Sequence, residues 1–307
     1  MQIRVKPDTA SPRVLCIDGG GTRGKYPLKF LKQLEDDIGL PGHPVQKNFD
    51  VVFGTSSGAI SAGALCINGW TVDECIARFE SLSNQAFTPR GVPSIPIIGS
   101  FVSVATHRAA LRDMFGSERS IADYSAADTM GAMVGMTVAT VQDASACIFT
   151  NYNGLFHALV YRRPRHVPRR RPGGQQPSAI ALQEVASLFP ETPDPSLLAS
   201  AGTGSSREEK QLAREPNGGW RDYFPFRLAR AFRTLRSDKN AWQRLVAHKK
   251  VGRSGEFFRF DVEFDGPEPP LDSLSSFDDP ECDDECTFEG LRIEAVGTLR
   301  KGRAVYL

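Results

Sequence analysis

The chain has 307 residues, of which 40% are hydrophobic, and its 37 basic and 36 acidic side chains leave a formal net charge of +1. This is the composition of an ordinary globular protein, and it excludes a disordered chain or a coiled coil as the overall architecture. The near-zero net charge gives no general attraction to nucleic acid or to a membrane surface.

Two successive strand–loop–helix units are predicted near the start of the chain. The apolar run 13–17 ends at a glycine-rich loop over 18–24, and a helix with apolar residues at helical spacing is predicted over 25–38. A second apolar run, 49–53, leads through another loop to a helix predicted over 57–67. Repeated units of this kind build a mostly parallel sheet covered by helices. Both loops then fall at the carboxyl ends of strands, where functional groups of such sheets are expected.

The second loop has the G-x-S-x-G pattern of a nucleophile elbow, with Ser56 at its tip. In an elbow the serine occupies a strained turn, where a side chain at Gly54 or Gly58 would collide with the neighbouring backbone. Ser56 then projects from the sheet edge beside the amide of Ser57. A short Gly/Ser pattern also arises by chance, as a strand end and a loose helix start. The strand before the pattern and the helix after it favour the elbow.

Later segments also show helical or strand spacing of their apolar residues. Thr71 and Glu74 form a capping box, which marks the start of a helix with an apolar face up to Leu82. Residues 226–246 form a basic amphipathic stretch, for which a helix packed on the core is favoured over one that contacts a membrane. Further helices are predicted over 107–115 and 179–188, and further strands over 133–140, 146–150, 196–204 and 258–264.

The glycine-rich loop fits three kinds of site. As G-x-G-x-x-G it matches a dinucleotide-binding loop, but the next strand should then end in an acidic residue and instead ends in the elbow. As G-x-x-x-x-G-K it nearly matches a phosphate-binding loop, but Tyr26 stands where a compact hydroxyl must coordinate magnesium. As an oxyanion hole, its amides point at the carbonyl oxygen of an ester attacked by Ser56. The third interpretation alone explains both loops.

The segments Asp-Gly-Gly-Gly-Thr-Arg-Gly at 18–24 and Gly-Thr-Ser-Ser-Gly at 54–58 together resemble the patatin-like phospholipase family. The resemblance extends less strictly over about 12–245. It implies a three-layer α/β/α fold with a mostly parallel central sheet. It also implies a lipid acyl hydrolase that uses a Ser/Asp dyad and a lipid or ester substrate. No metal ion, organic cofactor or nucleic acid is implied.

By this resemblance Ser56 is the nucleophile, and Gly54 and Gly58 form the elbow around it. The resemblance places the oxyanion hole on the glycine loop and its neighbours, with Arg23 helping to fix that loop. The oxyanion-hole residues implied in this way are Gly19, Gly20, Gly21, Arg23 and Ser57.

The family's general base, an aspartate in an Asp-Gly-Gly turn before the helix predicted over 179–188, is not found. Pro172 stands at its expected position, and proline has no proton-accepting group. The surrounding stretch, 161–177, is rich in arginine and proline and is predicted as an exposed loop. Two hypotheses stay open. One is a serine lipid acyl hydrolase; the other is a catalytically silent patatin-like module that binds or regulates, with an altered gene model as a source of the unusual stretch.

Other groups are weaker candidates for the base. Asp50 lies on the strand that leads to Ser56, six residues before it, and is expected to be about 20 Å away at the rise of an extended strand. Asp18 is interpreted as structural, holding backbone amides of the glycine loop. No partner is identified for the histidines, which are His43, His107, His157, His166 and His248.

The chain is predicted to divide into a polar leader over 1–11, a domain over 12–245 and a C-terminal extension of uncertain role over 246–307. The cysteines fall mostly in apolar segments without a secretory leader before them, so a cytoplasmic location is expected. No run of about 18 apolar residues is present, so any membrane contact is expected to be peripheral. Cys282 and Cys286 lack partner ligands, and no metal site is predicted.

Overall fold

The structure, a computed structural model, describes residues 10–87, 104–139, 146–152, 177–206 and 256–264, with the short pieces 242–243, 245–247, 266, 269, 296–297 and 299. Some predicted features therefore lie outside the described residues. They are most of the arginine- and proline-rich stretch, including Pro172, nearly all of the amphipathic stretch 226–246, and the segment that holds Cys282 and Cys286.

The described fold is built on a six-stranded sheet. The strands formed by the described residues are β1 (Arg13–Ile17), β2 (Val51–Thr55), β3 (Met133–Ala139), β4 (Ala146–Thr150), β5 (Leu197–Ala201), β6 (Ser205–Ser206), β7 (Glu256–Phe260) and β8 (Glu263–Phe264). The central sheet has the order β4-β3-β2-β1-β5-β7, and β6 pairs with β8 separately. All neighbours in the central sheet run parallel except β3 and β4, which are antiparallel.

Helices cover both faces of this sheet. They are α1 (Lys25–Ile38), α2 (Ser57–Ala62, continued by a π turn over Gly63–Ile67), α3 (Val72–Phe87), α4 (Val104–Phe115), α5 (Ala126–Met130) and α6 (Pro177–Leu188). Among these described helices, none is both long and apolar enough to cross a lipid bilayer. Leu15 and Ile17 of β1 pack in a core cluster with α1 and α3, whereas Val14 and Cys16 pack in a second cluster with α6. The predicted three-layer α/β/α fold is therefore confirmed.

Most of the predicted elements that fall on described residues are confirmed, with shifts at some ends. The single strand predicted over 258–264 is wrong, because β7 ends at Phe260 and β8 belongs to the separate pair with β6. Helix α1 has the predicted bounds, 25–38. Strand β2 starts later than predicted because the amide of Phe49 closes a turn by donating to the carbonyl of Gln46, at 3.2 Å. The same strand continues as far as Thr55, since Thr55 pairs with Thr137 of β3. The spacing of apolar residues predicts that the strand is present, and pairing with the neighbouring strand determines where it ends.

The C-terminal part of the chain contributes a strand to the central sheet. Strand β7 lies within 246–307, for which the sequence predicts an extension of uncertain role, and it pairs in parallel with β5. Phe258 and Phe260 of β7 are buried. The ring of Phe260 stacks on Phe30 of α1, with the centroids 3.7 Å apart. The sheet therefore continues beyond residue 245.

The predicted capping box at the start of α3 is formed. The amide of Glu74 donates to Thr71 Oγ1 at 3.2 Å, and the amide of Thr71 donates to Glu74 Oε2 at 2.9 Å. Thr71→Ala is therefore expected to lower the free energy of unfolding by about 1 kcal/mol, because an amide of the first helical turn loses its partner. Urea denaturation measures this change. Thr71→Ser keeps the hydroxyl and is the control; equal losses in both variants would show that the hydroxyl is not the stabilising group.

Candidate active site

Ser56 lies in the turn between β2 and α2 with a strained backbone. Its φ is 54° and its ψ is −119°, and it is the single non-glycine residue of positive φ among the described residues. Such a conformation costs on the order of 1–3 kcal/mol and persists where the surrounding structure enforces it. The Ser56 carbonyl accepts hydrogen bonds from the amides of Ala59 and Ile60, at 3.0 and 3.2 Å. Helix α2 therefore starts immediately at the serine, and the serine side chain stays partly exposed.

The two glycines of the elbow allow two close backbone approaches. A Cβ atom on Gly54 would meet the carbonyl oxygen of Gly58 and lie 2.6 Å from the Cα of Ala59. A Cβ atom on Gly58 would meet the carbonyl oxygen of Ile17 and lie 2.6 Å from that of Asp18. The elbow thus packs on itself through Gly54 and on the end of β1 through Gly58. Any side chain at either residue would have to displace backbone.

The glycine-rich loop, residues 18–24, lies directly against the elbow. A Cβ atom on Gly19 would be 2.7 Å from the carbonyl oxygen of Thr55 and 2.8 Å from Ser56 Cβ. Gly21 has a φ of 61°, in the left-handed region that glycine adopts without strain. The loop then continues as a short 3₁₀ turn, Gly21–Gly24, into α1. The two loops that the sequence singled out therefore meet at Ser56.

Gly20 and Ser57 join the two loops by a buried hydrogen bond. The amide of Gly20 donates to Ser57 Oγ at 2.9 Å. This amide, which was predicted to belong to the oxyanion hole, is thus engaged with the elbow itself. The amides of Gly21 and Ser57 make no hydrogen bond within the part of the chain that the structure describes. These two remain as donors beside Ser56.

A third segment, the turn after β5, holds the glycine loop from the other side. Thr203 Oγ1 donates to the carbonyl of Gly19 at 3.3 Å. The Arg23 guanidinium is buried, and its Nη1 donates to the carbonyl of Gly204 at 3.4 Å. Burial lowers the pKa of Arg23, and the nearby Asp261 carboxylate opposes that shift. Arg23 therefore connects the loop to the turn after β5.

A buried ion-pair cluster that the sequence analysis did not single out lies beside the loop. Asp18, whose side chain is 0% exposed, pairs with Arg259 of β7, with Oδ2 and Nη1 2.5 Å apart. Arg259 also pairs with Asp261 at 2.9 Å. Burial acts to lower the pKa of Arg259, but the two carboxylates outweigh it and raise that pKa. The sequence contains one indication of this cluster. Charged residues alternate with apolar residues over 258–264, which places Arg259 and Asp261 on the same side of a strand.

The candidate bases have other partners or lie elsewhere. Asp50 precedes β2, at the end of that strand away from Ser56, and pairs with Arg13 at 3.2 Å. Asp18 faces Arg259. The ring of His43 hydrogen bonds with Asn48 at 3.3 Å. The side chains of the other histidines, and the whole of Pro172, lie outside the described residues.

The start of α6 lies near the same edge of the sheet as Ser56. Ser178, in the first turn of α6, donates a hydrogen bond to Ser200 at 3.1 Å. Ser200 is the next-to-last residue of β5 and pairs with Cys16, one residue from the end of β1. The start of α6 therefore lies at the edge of the sheet that carries the elbow and the glycine loop.

Comparisons with known proteins agree with this geometry. A family model described as patatin-like phospholipase matches residues 15–245. Calcium-independent phospholipase A2-gamma of Rattus norvegicus is 29% identical over 229 residues, which cover 62% of this chain and 28% of the rat protein. The cUMP-AMP-activated phospholipase of Escherichia coli is 37% identical over 102 residues, which cover 33% of this chain and 27% of that protein. In each case the match spans less than a third of the relative's length.

Proposed function

The chain belongs to the patatin-like phospholipase family, and on that premise we propose that it hydrolyses ester bonds of lipids through an acyl intermediate on Ser56. The observation that carries the proposal is the positive φ of Ser56 in a strand-to-helix turn. The glycine loop in contact with that turn adds to it. A lipid substrate is proposed because the family is described as patatin-like phospholipase and both relatives are named phospholipases.

In the proposed reaction Ser56 Oγ attacks the ester carbonyl carbon and gives its proton to a general base. The carbonyl oxygen becomes negatively charged in the tetrahedral intermediate. The amides of Gly21 and Ser57 are the proposed donors to this oxyanion, while the Gly20 amide holds Ser57 in place. One such donor contributes about 2.7–4 kcal/mol to transition-state stabilisation. The base gives the proton to the departing alcohol oxygen as the acyl–Ser56 ester forms, and water then attacks this ester to release the fatty acid and regenerate the serine hydroxyl.

Residues 161–177, which end at the first residue of α6, contain no carboxylate that could act as the general base. Within the described ranges, Asp18 and Asp50 are each paired with an arginine. Pro172 stands in that segment where the family has its aspartate, and this residue favours a second candidate function. The second candidate is a silent module that binds lipid or regulates a partner without turnover.

The proposal also concerns where the protein works. A lipid substrate requires the protein to reach a membrane surface, and we propose peripheral contact from the cytoplasm.

Cys16, Cys66 and Cys75 are free and buried. Burial raises the pKa of the Cys66 thiol to about 12, which disfavours the reactive thiolate at neutral pH. We propose further that the catalytic domain starts near residue 12 and includes β7.

Labelling with a fluorophosphonate tests the proposal. The unaltered chain is expected to bind the probe covalently, and Ser56→Ala is expected to lose the label because the attacked phosphorus is held by that oxygen alone. Thermal unfolding shows that both proteins are folded, and mass spectrometry locates the label. A folded, unaltered chain without label would overturn the hydrolase proposal in favour of the silent module. Release of fatty acid from phosphatidylcholine vesicles then measures turnover.

A further inference from the structure

Asp18 fixes the start of the glycine loop from two sides. It is the first residue of the loop after β1, and its amide donates to the carbonyl of Ala201 on β5 at 2.9 Å. Its fully buried side chain pairs with Arg259 of β7. The direction in which the loop leaves β1 therefore depends on an arginine that lies outside residues 15–245, the range of the family match.

Arg259 holds three groups with one planar guanidinium. Its Nη1 pairs with Asp18 and donates to Ser200 Oγ at 2.7 Å. Its Nη2 donates to Asp261 Oδ2 at 2.9 Å. The side chain is 11% exposed, so these contacts are poorly screened by water. A lysine nitrogen carries the same charge but cannot reproduce this two-armed fork.

The same cluster reaches the far end of the loop. Asp261 Oδ1 accepts the amide of Gly204 at 2.7 Å. The carbonyl of Gly204 accepts a hydrogen bond from Nη1 of Arg23. Arg23 lies two residues after Gly21, which is a proposed donor to the oxyanion. The contacts therefore form a closed path from Asp18 through β7 and the turn after β5 to Arg23. One end of the loop is attached to Arg259 of β7, and the other is attached through Gly204 to Asp261, which follows that strand.

We propose that Arg259 is a positioning residue for the glycine loop: it acts through Asp18 and Asp261 to hold the loop amides beside Ser56. This role rests on the proposed function of that loop. A purely structural role for Arg259 would resemble that of Arg13, which pairs with Asp50 at 3.2 Å at the other end of β1. Arg13 is also buried, with 8% of its side chain exposed, and it lies at the sheet edge away from Ser56. It is the matched control.

The test uses the full chain with Arg259→Lys and Arg13→Lys. Arg259→Lys is expected to slow fluorophosphonate labelling of Ser56 by about tenfold or more, since small misplacements of a reacting site have effects up to about a hundredfold. Hydrogen–deuterium exchange of peptides that cover residues 18–24 is expected to rise by about tenfold in the same variant. Arg13→Lys is expected to change both by less than about twofold. Asp261→Asn keeps an acceptor for Gly204 and serves if Arg259→Lys does not fold.

The two measurements separate this inference from the proposed function. Slower labelling and faster exchange in the Arg259 or Asp261 variant, with Arg13→Lys unchanged, would support the positioning role. Equal effects at Arg259 and Arg13, or unchanged exchange over 18–24, would overturn it. An unaltered chain without label would refute the hydrolase proposal, and the exchange measurement would still decide whether Arg259 holds the loop.

Discussion

Gly58→Ala is expected to abolish labelling of Ser56 and to lower the free energy of unfolding by about 3 kcal/mol. The added methyl group would overlap the carbonyl oxygen of Ile17 and approach that of Asp18. Both are backbone atoms at the end of a central strand, so no side-chain rotation relieves the overlap. The elbow must move away from β1, and Ser56 then leaves the glycine loop. Urea denaturation and probe labelling measure the two effects.

Gly297→Ala is the control for the Gly58 substitution. A Cβ atom on Gly297 meets nothing within 4 Å, so its stability is expected to stay within about 0.5 kcal/mol of the unaltered chain. A Gly58→Ala protein as stable and as reactive as the unaltered chain would show that the elbow does not rest on the end of β1. If labelling were lost while the free energy of unfolding stayed unchanged, the substitution would act on the orientation of Ser56 and not on the stability of the fold.

The arrangement of β1 and β2 explains why the two predicted loops meet. The strands are parallel neighbours, with Ile17 paired to Gly54. Their carboxyl ends therefore lie side by side, and the loop after each strand leaves at the same edge of the sheet. Glycines then allow the loops to touch, as at Gly19 against Ser56. Apolar runs followed by glycine patterns were enough to predict this part of the fold and of the candidate site.

The remaining part of the site depends on contacts between distant residues. The alternation at 258–264 predicts a strand, but it contains no information on which strand is its neighbour. Only the folded chain brings Arg259 to Ser200, 59 residues earlier in the sequence. The engagement of the Gly20 amide by Ser57 is a second such case, because glycine patterns do not specify which amides of a loop stay open. Local sequence patterns indicate which strands and helices form, whereas contacts between distant residues determine which of them become neighbours.

The contribution of β7 leads to the largest expected loss of stability. A chain that ends at residue 245 is expected to be largely unfolded or aggregated. It lacks the edge strand β7 and therefore also Arg259, the partner of Asp18. Removal of Phe260 from the core costs about 3–5 kcal/mol. Leaving the buried Asp18 carboxylate without Arg259 costs about 3–5 kcal/mol more. Their sum is comparable to the whole stability of a typical domain, about 5–15 kcal/mol.

Size-exclusion chromatography and circular dichroism of the shortened chain test this expectation. A point substitution tests the same strand in the full chain: Phe260→Ala is expected to lower the free energy of unfolding by about 3–5 kcal/mol, because the ring that stacks on Phe30 is lost. Phe149→Ala on β4, the opposite edge strand, removes a residue that is 57% exposed, and its effect is expected to stay within about 0.5 kcal/mol. A cooperative, monomeric chain ending at residue 245 would show that β7 is an accessory to the sheet, and the domain would then end where the sequence places it.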